Sequence, residues 1–296
     1  MRFTKLHGCG NDYLYVDCIT NPAPTDPADL ARRISDRHFG AGSDGLILAL
    51  PSQASDVRMR MFNADGSEGQ MCGNGVRGLA KFVWDRGLVR VNPMRVETLR
   101  GSLSIQQTVG TDGRISHSTV DMDEPILQAR QIPMSLPHDL DAPLVDAVLS
   151  RYIPIGQPAA WMKDCGLEDR FSAVSMGSAH MVLFCKQPEA VPLAQVGPFF
   201  ETQPIFPNRV NVHFAATVSR VAVRMRTWER GSGITLACGT GASAVVVAGV
   251  LTGRLDRTVE VNLPGGVLGI EWSEADNHVY MTGPAVEVFS GDWPDR

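Results

Sequence analysis

Val57-Arg58-Met59-Arg60-Met61-Phe62 aligns without a gap on Val223-Arg224-Met225-Arg226-Thr227-Trp228, and the same register lays Cys72-Gly73-Asn74-Gly75 over Cys238-Gly239-Thr240-Gly241. The offset is 166 residues both times, from 57 to 223 and from 72 to 238. A shift of one residue more superposes Gly10-Asn11 on Gly177-Ser178, each followed by an apolar run. Self-similarity at a fixed offset is the signature of a repeated structural unit, so the chain reads as two copies of one unit.

Each copy reads as a strand, a Gly-containing loop, a cysteine, and a helix whose first turn is Gly-x-Gly. The expected fold class is α+β: two pseudo-symmetric domains, each a mainly antiparallel sheet wrapped around a central helix, with an active-site cleft between them. Residues 1–125, with a C-terminal strand in 283–296, are expected to form the domain of Cys72; residues 126–282 are expected to form the domain of Cys238. The clearest helices are Pro27–Arg37, opened by Asp26 as N-cap, Gly73–Trp84 and Gly239–Leu251. Strands are expected at Arg95–Leu99, Leu103–Gln106, Val120–Met122, Val182–Phe184, Val210–Phe214, Val221–Met225, Val259–Val261 and Leu268–Trp272, with Gly or Pro in most of the gaps. Short turns between many strands favour antiparallel pairing. The Pro-rich stretch from Gln128 to Pro158 reads as a loop or inter-domain region, with room for one helix over Pro143–Ser150.

Composition bounds the function. The 296 residues are 44% apolar and 20% charged, enough for sizeable cores and long for one ordinary domain. A net charge of −5 and a pI near 5.8 leave no basic field for a nucleic acid. Met1 is followed by a polar stretch, and the apolar run around Ala242–Leu251 is too short to span a bilayer, so a cytoplasmic, membrane-free protein is expected. The six cysteines include no Cys-x-x-Cys pair and the seven histidines are scattered, so free thiols are expected and neither a disulfide framework nor a metal site. The four lysines stand in no context that suggests a Schiff base, and no cofactor is expected.

The chemistry sits at the two repeated cysteines. A helix N-terminus carries unsatisfied N–H groups and roughly half a positive charge, which attracts a carboxylate and favours a thiolate. Glycine directly after each cysteine lets a ligand carboxylate approach the backbone. Two thiols so placed suit a reaction that removes a proton from one face of a carbon and returns one to the other, one acting as thiolate and the other as thiol. A nucleotide phosphate loop is the competing reading; neither copy has the Walker Lys-Ser/Thr or a full Gly-x-Gly-x-x-Gly.

The segments Gly8–Tyr13, Phe62–Glu68, Met71–Arg77, Arg209–Val212, Glu229–Gly233, Ala237–Ala242, Leu263–Gly266 and Met281–Ala285 resemble, in order and over nearly the whole chain, the diaminopimelate epimerase family. The resemblance implies a pyridoxal-independent isomerase acting on LL-diaminopimelate, on the route to lysine and peptidoglycan. It also implies that Cys72 and Cys238 are the catalytic thiols, tuned by His180 and Glu229. Backbone N–H groups of Gly73, Asn74, Gly239 and Thr240 would then hold the reacting end of the substrate, and Asn11, Asn63, Asn211, Glu229 and Arg230 the other end. Adjacent Glu229 and Arg230 supply one acceptor and one donor, as an ammonium and a carboxylate require. The chain departs from the family at Gly177-Ser178-Ala179-His180, where Gly-Asn-Pro-His is usual; Ser178 stands in place of a substrate-binding Asn. Ile234 replaces a Glu near Cys238, and a stretch near Gln157–Asp169 has no family counterpart. Another amino acid, histidine-like, is the alternative substrate, and a carboxylate-binding module the alternative outside enzymology. The partner is a small-molecule amino acid, with homodimerisation left open.

Overall fold

The computed structural model describes residues 1–136, 141–154 and 160–294. Gln157, Pro158 and Ala159, the start of the stretch without family counterpart, lie outside them. The chain divides into two compact units, Met1–Asp121 with Thr282–Arg296, and Met122–Met281. The first contains β1 (Arg2–Gly8), β2 (Asn11–Asp17), α1 (Pro27–Ile34), β3 (Gly45–Leu50), β4 (Val57–Asn63), β5 (Glu68–Gly69), α2 (Gly73–Asp85), β6 (Met94–Thr98), β7 (Gly101–Val109) and β8 (Ile115–Asp121). The second contains β9 (Ala147–Val148), α3 (Leu149–Tyr152), α4 (Ala160–Asp164), β10 (Arg170–Ser175), β11 (Ala179–Phe184), α5 (Leu193–Glu201), β12 (Asn211–Ser219), β13 (Ala222–Glu229), β14 (Gly233–Thr235), α6 (Gly239–Leu251), β15 (Thr258–Leu263) and β16 (Gly266–Trp272). After β17 (Val279–Pro284) the chain ends on β18 (Val286–Asp292), which pairs antiparallel with β1.

The duplication read from the sequence is a duplication of strand pairing. In the first unit β1–β2 is antiparallel, β2–β3 parallel, β3–β4 antiparallel, β4–β6 parallel and β6–β7 antiparallel. In the second, β10–β11, β11–β12, β12–β13, β13–β15 and β15–β16 repeat that alternation. The sheets are mixed: a parallel pair needs a crossover long enough to bring the chain back, and α1, α2, α5 and α6 lie in those crossovers.

The central helices form because their sequences tolerate burial on every side. In α2 every residue from Gly73 to Val83 is buried, and α6 carries Val245, Val246 and Val247 with no exposed surface. Each such valine stabilises the fold by about 1.5–3 kcal/mol. α2 packs on β1, β2, β3, β7 and β8, and α6 on β10, β11, β12 and β16. Gly78 is required there: a Cβ would lie 2.1 Å from the Tyr15 hydroxyl, which donates to Gly75 O at 3.0 Å. The buried cationic side chains of α2 have hydrogen-bond partners. Lys81 Nζ meets Asp85 at 2.7 Å and Ile115 O at 2.6 Å, and Arg77, fully buried, donates to Asn74 Oδ1 at 2.7 Å and Gly73 O at 3.2 Å.

Two sequence expectations need correction. Asp26 caps α1 as expected, its side chain accepting from Asp29 N, but the helix ends at Ile34 rather than Arg37. Asp36 draws the chain out of the helix by accepting from the N–H groups of His38 and Phe39, both at 2.7 Å. Pro143–Ser150 is not a helix: Leu144 O accepts from Ala173 N at 2.8 Å and Asp146 N donates to Ser172 Oγ at 3.1 Å, so this backbone is bonded to β10, and only Leu149–Tyr152 turns helical.

Candidate active site

In the first unit, the short loop between β5 and α2 delivers Cys72 to the N-cap of α2, with extended backbone angles (φ −136°, ψ 120°). Its Sγ accepts from Gly75 N at 3.4 Å and, as a thiol, donates to Asn11 Oδ1 at 3.5 Å. Asn74 Nδ2 donates to the same oxygen at 3.4 Å. That orientation of Asn11 is fixed from behind, because its Nδ2 donates to Asp44 at 2.7 Å, and Asp44 also receives Asp12 N at 3.0 Å and Arg37 at 2.8 Å. Burial opposes ionisation of Asp12, yet hydrogen bonds from Arg37 and Lys5 outweigh it and hold the carboxyl below its usual range. The group around Cys72 thus serves both protonation states: Asn11 receives the thiol proton, while Gly75 N–H, the helix end and the Arg77 charge favour the thiolate. Asn63 stands apart, donating to Ser67 Oγ at 2.9 Å in the turn after β4.

In the second unit, Cys238 is the N-cap of α6 (φ −133°, ψ 107°), with Sγ 3.6 Å from Thr240 Oγ1. Gly239 has no room for a side chain, since a Cβ would come within 2.6 Å of Met281 Sδ. Glu229 closes β13 and accepts from Thr235 Oγ1 at 2.6 Å. Arg230 Nη1 donates to Asn208 O, and its backbone N donates to Asn211 Oδ1, each at 2.9 Å. Asn211 Nδ2 donates to Ala179 O at 3.1 Å and Ser178 Oγ at 3.4 Å. Ser178 Oγ lies 3.1 Å from His180 Nε2, and His180 Nδ1 lies 2.9 Å from His213 Nε2. Ser178, His180, Asn211 and the Arg230 backbone therefore form one bonded group. Ile234, the residue replacing an acidic one, is half exposed on β14 opposite Trp228.

Sequence reasoning missed several members. Tyr13, buried on β2, neighbours Cys72; burial first, and then the Cys72 sulfur in its thiolate form, push its phenol well above its usual value. Asp44 and His213 carried no motif of their own, and Arg77 and Thr227 lie inside the motif stretches Met71–Arg77 and Val223–Trp228 with no role read for them there. Burial pushes the His213 imidazole down to about 3, and burial, then His213 and Arg230, push His180 well below its usual value. Both imidazoles are neutral at neutral pH. Cys9, buried in the β1–β2 turn at φ +52°, is raised by burial with partial offset from Arg77, which suits an inert thiol. All six cysteines are free thiols. Among the described residues, neither Cys72 nor Cys238 belongs to a group of three or more His, Cys, Asp or Glu donors close enough to share an ion.

Residues 3–127 and 172–288 match the family model described as diaminopimelate epimerase. A diaminopimelate epimerase of Acetivibrio thermocellus is 48% identical over 292 residues, 99% of this chain and 98% of that protein. One of Desulfovibrio desulfuricans is 49% identical over 293 residues, again 99% of this chain and 98% of that protein. A solved phenazine biosynthesis protein of the PhzF family from Bacillus anthracis superposes with a TM-score of 0.69 over 98% of both chains at 17% identity, a likeness of fold alone.

Proposed function

The chain belongs to the diaminopimelate epimerase family, and from that premise we propose that it is an isomerase interconverting LL- and meso-2,6-diaminopimelate on the route to lysine and peptidoglycan precursors. The observation that carries the reading is a cysteine at the N-cap of the corresponding helix in each repeat. One cysteine, as thiolate, takes the α-proton; the other, as thiol, returns a proton to the opposite face of the carbanion, and the roles exchange with direction. The charge that develops on the α-carboxylate is met by the first-turn N–H groups of Gly73, Asn74, Gly239 and Thr240. Asn11, Asn63, Ser178, Asn211, Glu229 and Arg230 hold the non-reacting end, Arg230 its carboxylate and Glu229 its ammonium, while His180 and Glu229 tune the thiols.

The reading includes a small-molecule substrate, no nucleic acid, and a cytoplasmic location, because thiols acting as acid and base need reducing surroundings. Among the described residues no helix is long and apolar enough to cross a membrane. Replacing the cysteines one at a time tests the two-base assignment. Cys72→Ser and Cys238→Ser should each lose inversion of LL-diaminopimelate, and full inversion in either variant would refute it.

A further inference from the structure

His180 and His213 belong to a longer chain of hydrogen bonds. From β11, His180 reaches Ser178 Oγ through Nε2 (3.1 Å) and His213 Nε2 through Nδ1 (2.9 Å). From β12, His213 reaches Thr227 Oγ1 on β13 through its own Nδ1 (3.0 Å). The rings show no exposed surface, and His213 lies against the first turn of α6, where a Cβ on Gly241 would come within 2.2 Å of its Cε1.

A neutral imidazole has one N–H and one lone pair. Only one hydrogen can lie between His180 Nδ1 and His213 Nε2, so the state of one ring dictates that of the other. If His180 carries it, both rings are Nδ1–H tautomers, Thr227 Oγ1 accepts, and the Ser178 hydroxyl donates inward to His180. If His213 carries it, both are Nε2–H tautomers, Thr227 donates, and Ser178 Oγ accepts from His180. In the second state Ser178 Oγ receives two donors, His180 Nε2–H and Asn211 Nδ2, whose amide orientation is fixed by Arg230 N and Ala179 O. The Ser178 hydroxyl hydrogen then points away from both, and Ser178 is only half buried. The two states contain the same number of protons.

We propose that Ser178, His180, His213 and Thr227 form a hydrogen-bond chain of matched tautomers, in which His213 is a positioning residue and whose Nε2–H state presents the Ser178 hydroxyl as a donor to the carboxylate at the non-reacting end of the substrate. The carboxylate clause rests on the proposed function; the tautomer match does not. The chain explains how serine serves where the family's usual residue is an amide donor, since a hydroxyl is a dependable donor only when its oxygen is already supplied with donors.

The test is long-range ¹H–¹⁵N correlation spectroscopy of the full chain labelled at histidine, without ligand and with the equilibrium mixture of LL- and meso-diaminopimelate. The expected result is equal tautomers at His180 and His213 in both samples, and Nε2–H at both with diaminopimelate. Unequal tautomers, a cationic ring at neutral pH, or Nδ1–H with diaminopimelate bound would overturn the inference. His213→Phe should raise KM for diaminopimelate about tenfold with a smaller change in kcat, as for the loss of one hydrogen bond to a charged group. His213→Gln, whose amide can donate to His180 and accept from Thr227, should restore KM and keep His180 as Nε2–H. If the Phe variant does not fold, the spectrum of His213→Gln decides alone, and Nδ1–H at His180 there refutes the chain. Matched tautomers in a protein that exchanges no α-proton of diaminopimelate would sink the proposed function and leave the match standing; unmatched tautomers in an active enzyme would do the reverse.

Discussion

Removing His213 should flatten the protein's response to acid. His213 has no exposed surface, and burial holds its imidazole at about 3 against an ordinary 6.5. An unfolded chain takes up a proton at this residue below about pH 6.5 that the folded chain refuses, so stability present above that value is lost as pH falls toward about 3. Between about pH 7.5 and about pH 5 the loss at one such site is about 2 kcal/mol, from roughly 1.5 pH units at 1.36 kcal/mol each. His180 adds to it in the same direction. His213→Phe removes the titrating group, although it leaves His180 Nδ1 and Thr227 Oγ1 without this partner, at a cost of about 1–3 kcal/mol at neutral pH. Urea unfolding at the two pH values should therefore show the variant clearly weaker than wild type near pH 7.5 and close to it near pH 5. Carboxylates held low by partners, such as Asp12, begin to titrate at the acid end in both proteins and cancel in the comparison. Parallel losses in wild type and variant would refute the claim that His213 is kept neutral by the fold.

Cys72→Ser and Cys238→Ser should each reduce inversion by at least roughly a hundredfold, because a hydroxyl is a far weaker acid than a thiol; α-proton exchange through the surviving thiolate is scored separately, by mass spectrometry of recovered substrate. Arg230→Ala should lower kcat/KM for diaminopimelate at least about tenfold, the measure of one charge-assisted hydrogen bond; an unchanged value would remove Arg230 from the binding of the distal carboxylate. Lys81→Met should cost about 3–5 kcal/mol in urea unfolding, since it leaves Asp85, nearly inaccessible and 2.7 Å from Lys81, without its counter-charge.

What the sequence revealed follows from which interactions are local. The helices at Gly73 and Gly239 were legible because the repeated Cys-Gly-x-Gly sits directly before long apolar runs, and the mostly apolar α6 can only be a buried helix. Gly45–Leu50 passed unnoticed because a strand buried on both faces shows no alternation, and a short apolar run has no period to read. The parallel pairs were missed for a related reason: direction is set by the crossover helices, not by any residue in the strands. Of the candidate site, the cysteines, Asn11, Asn211 and the Glu229-Arg230 pair carried motif signals. Asp44 and His213 did not, since each acts by touching a residue far away in sequence: Asp44 orients Asn11 across 33 positions, and His213 meets His180 across 33.

The central claim, that the repeated cysteines make this chain a two-base epimerase of diaminopimelate, is tested most directly by incubating LL-diaminopimelate with the protein under reducing conditions in deuterated water. The meso isomer should form with one solvent deuterium at the inverted α-carbon. No meso isomer, or meso isomer that keeps the original α-hydrogen in every molecule, would contradict the claim.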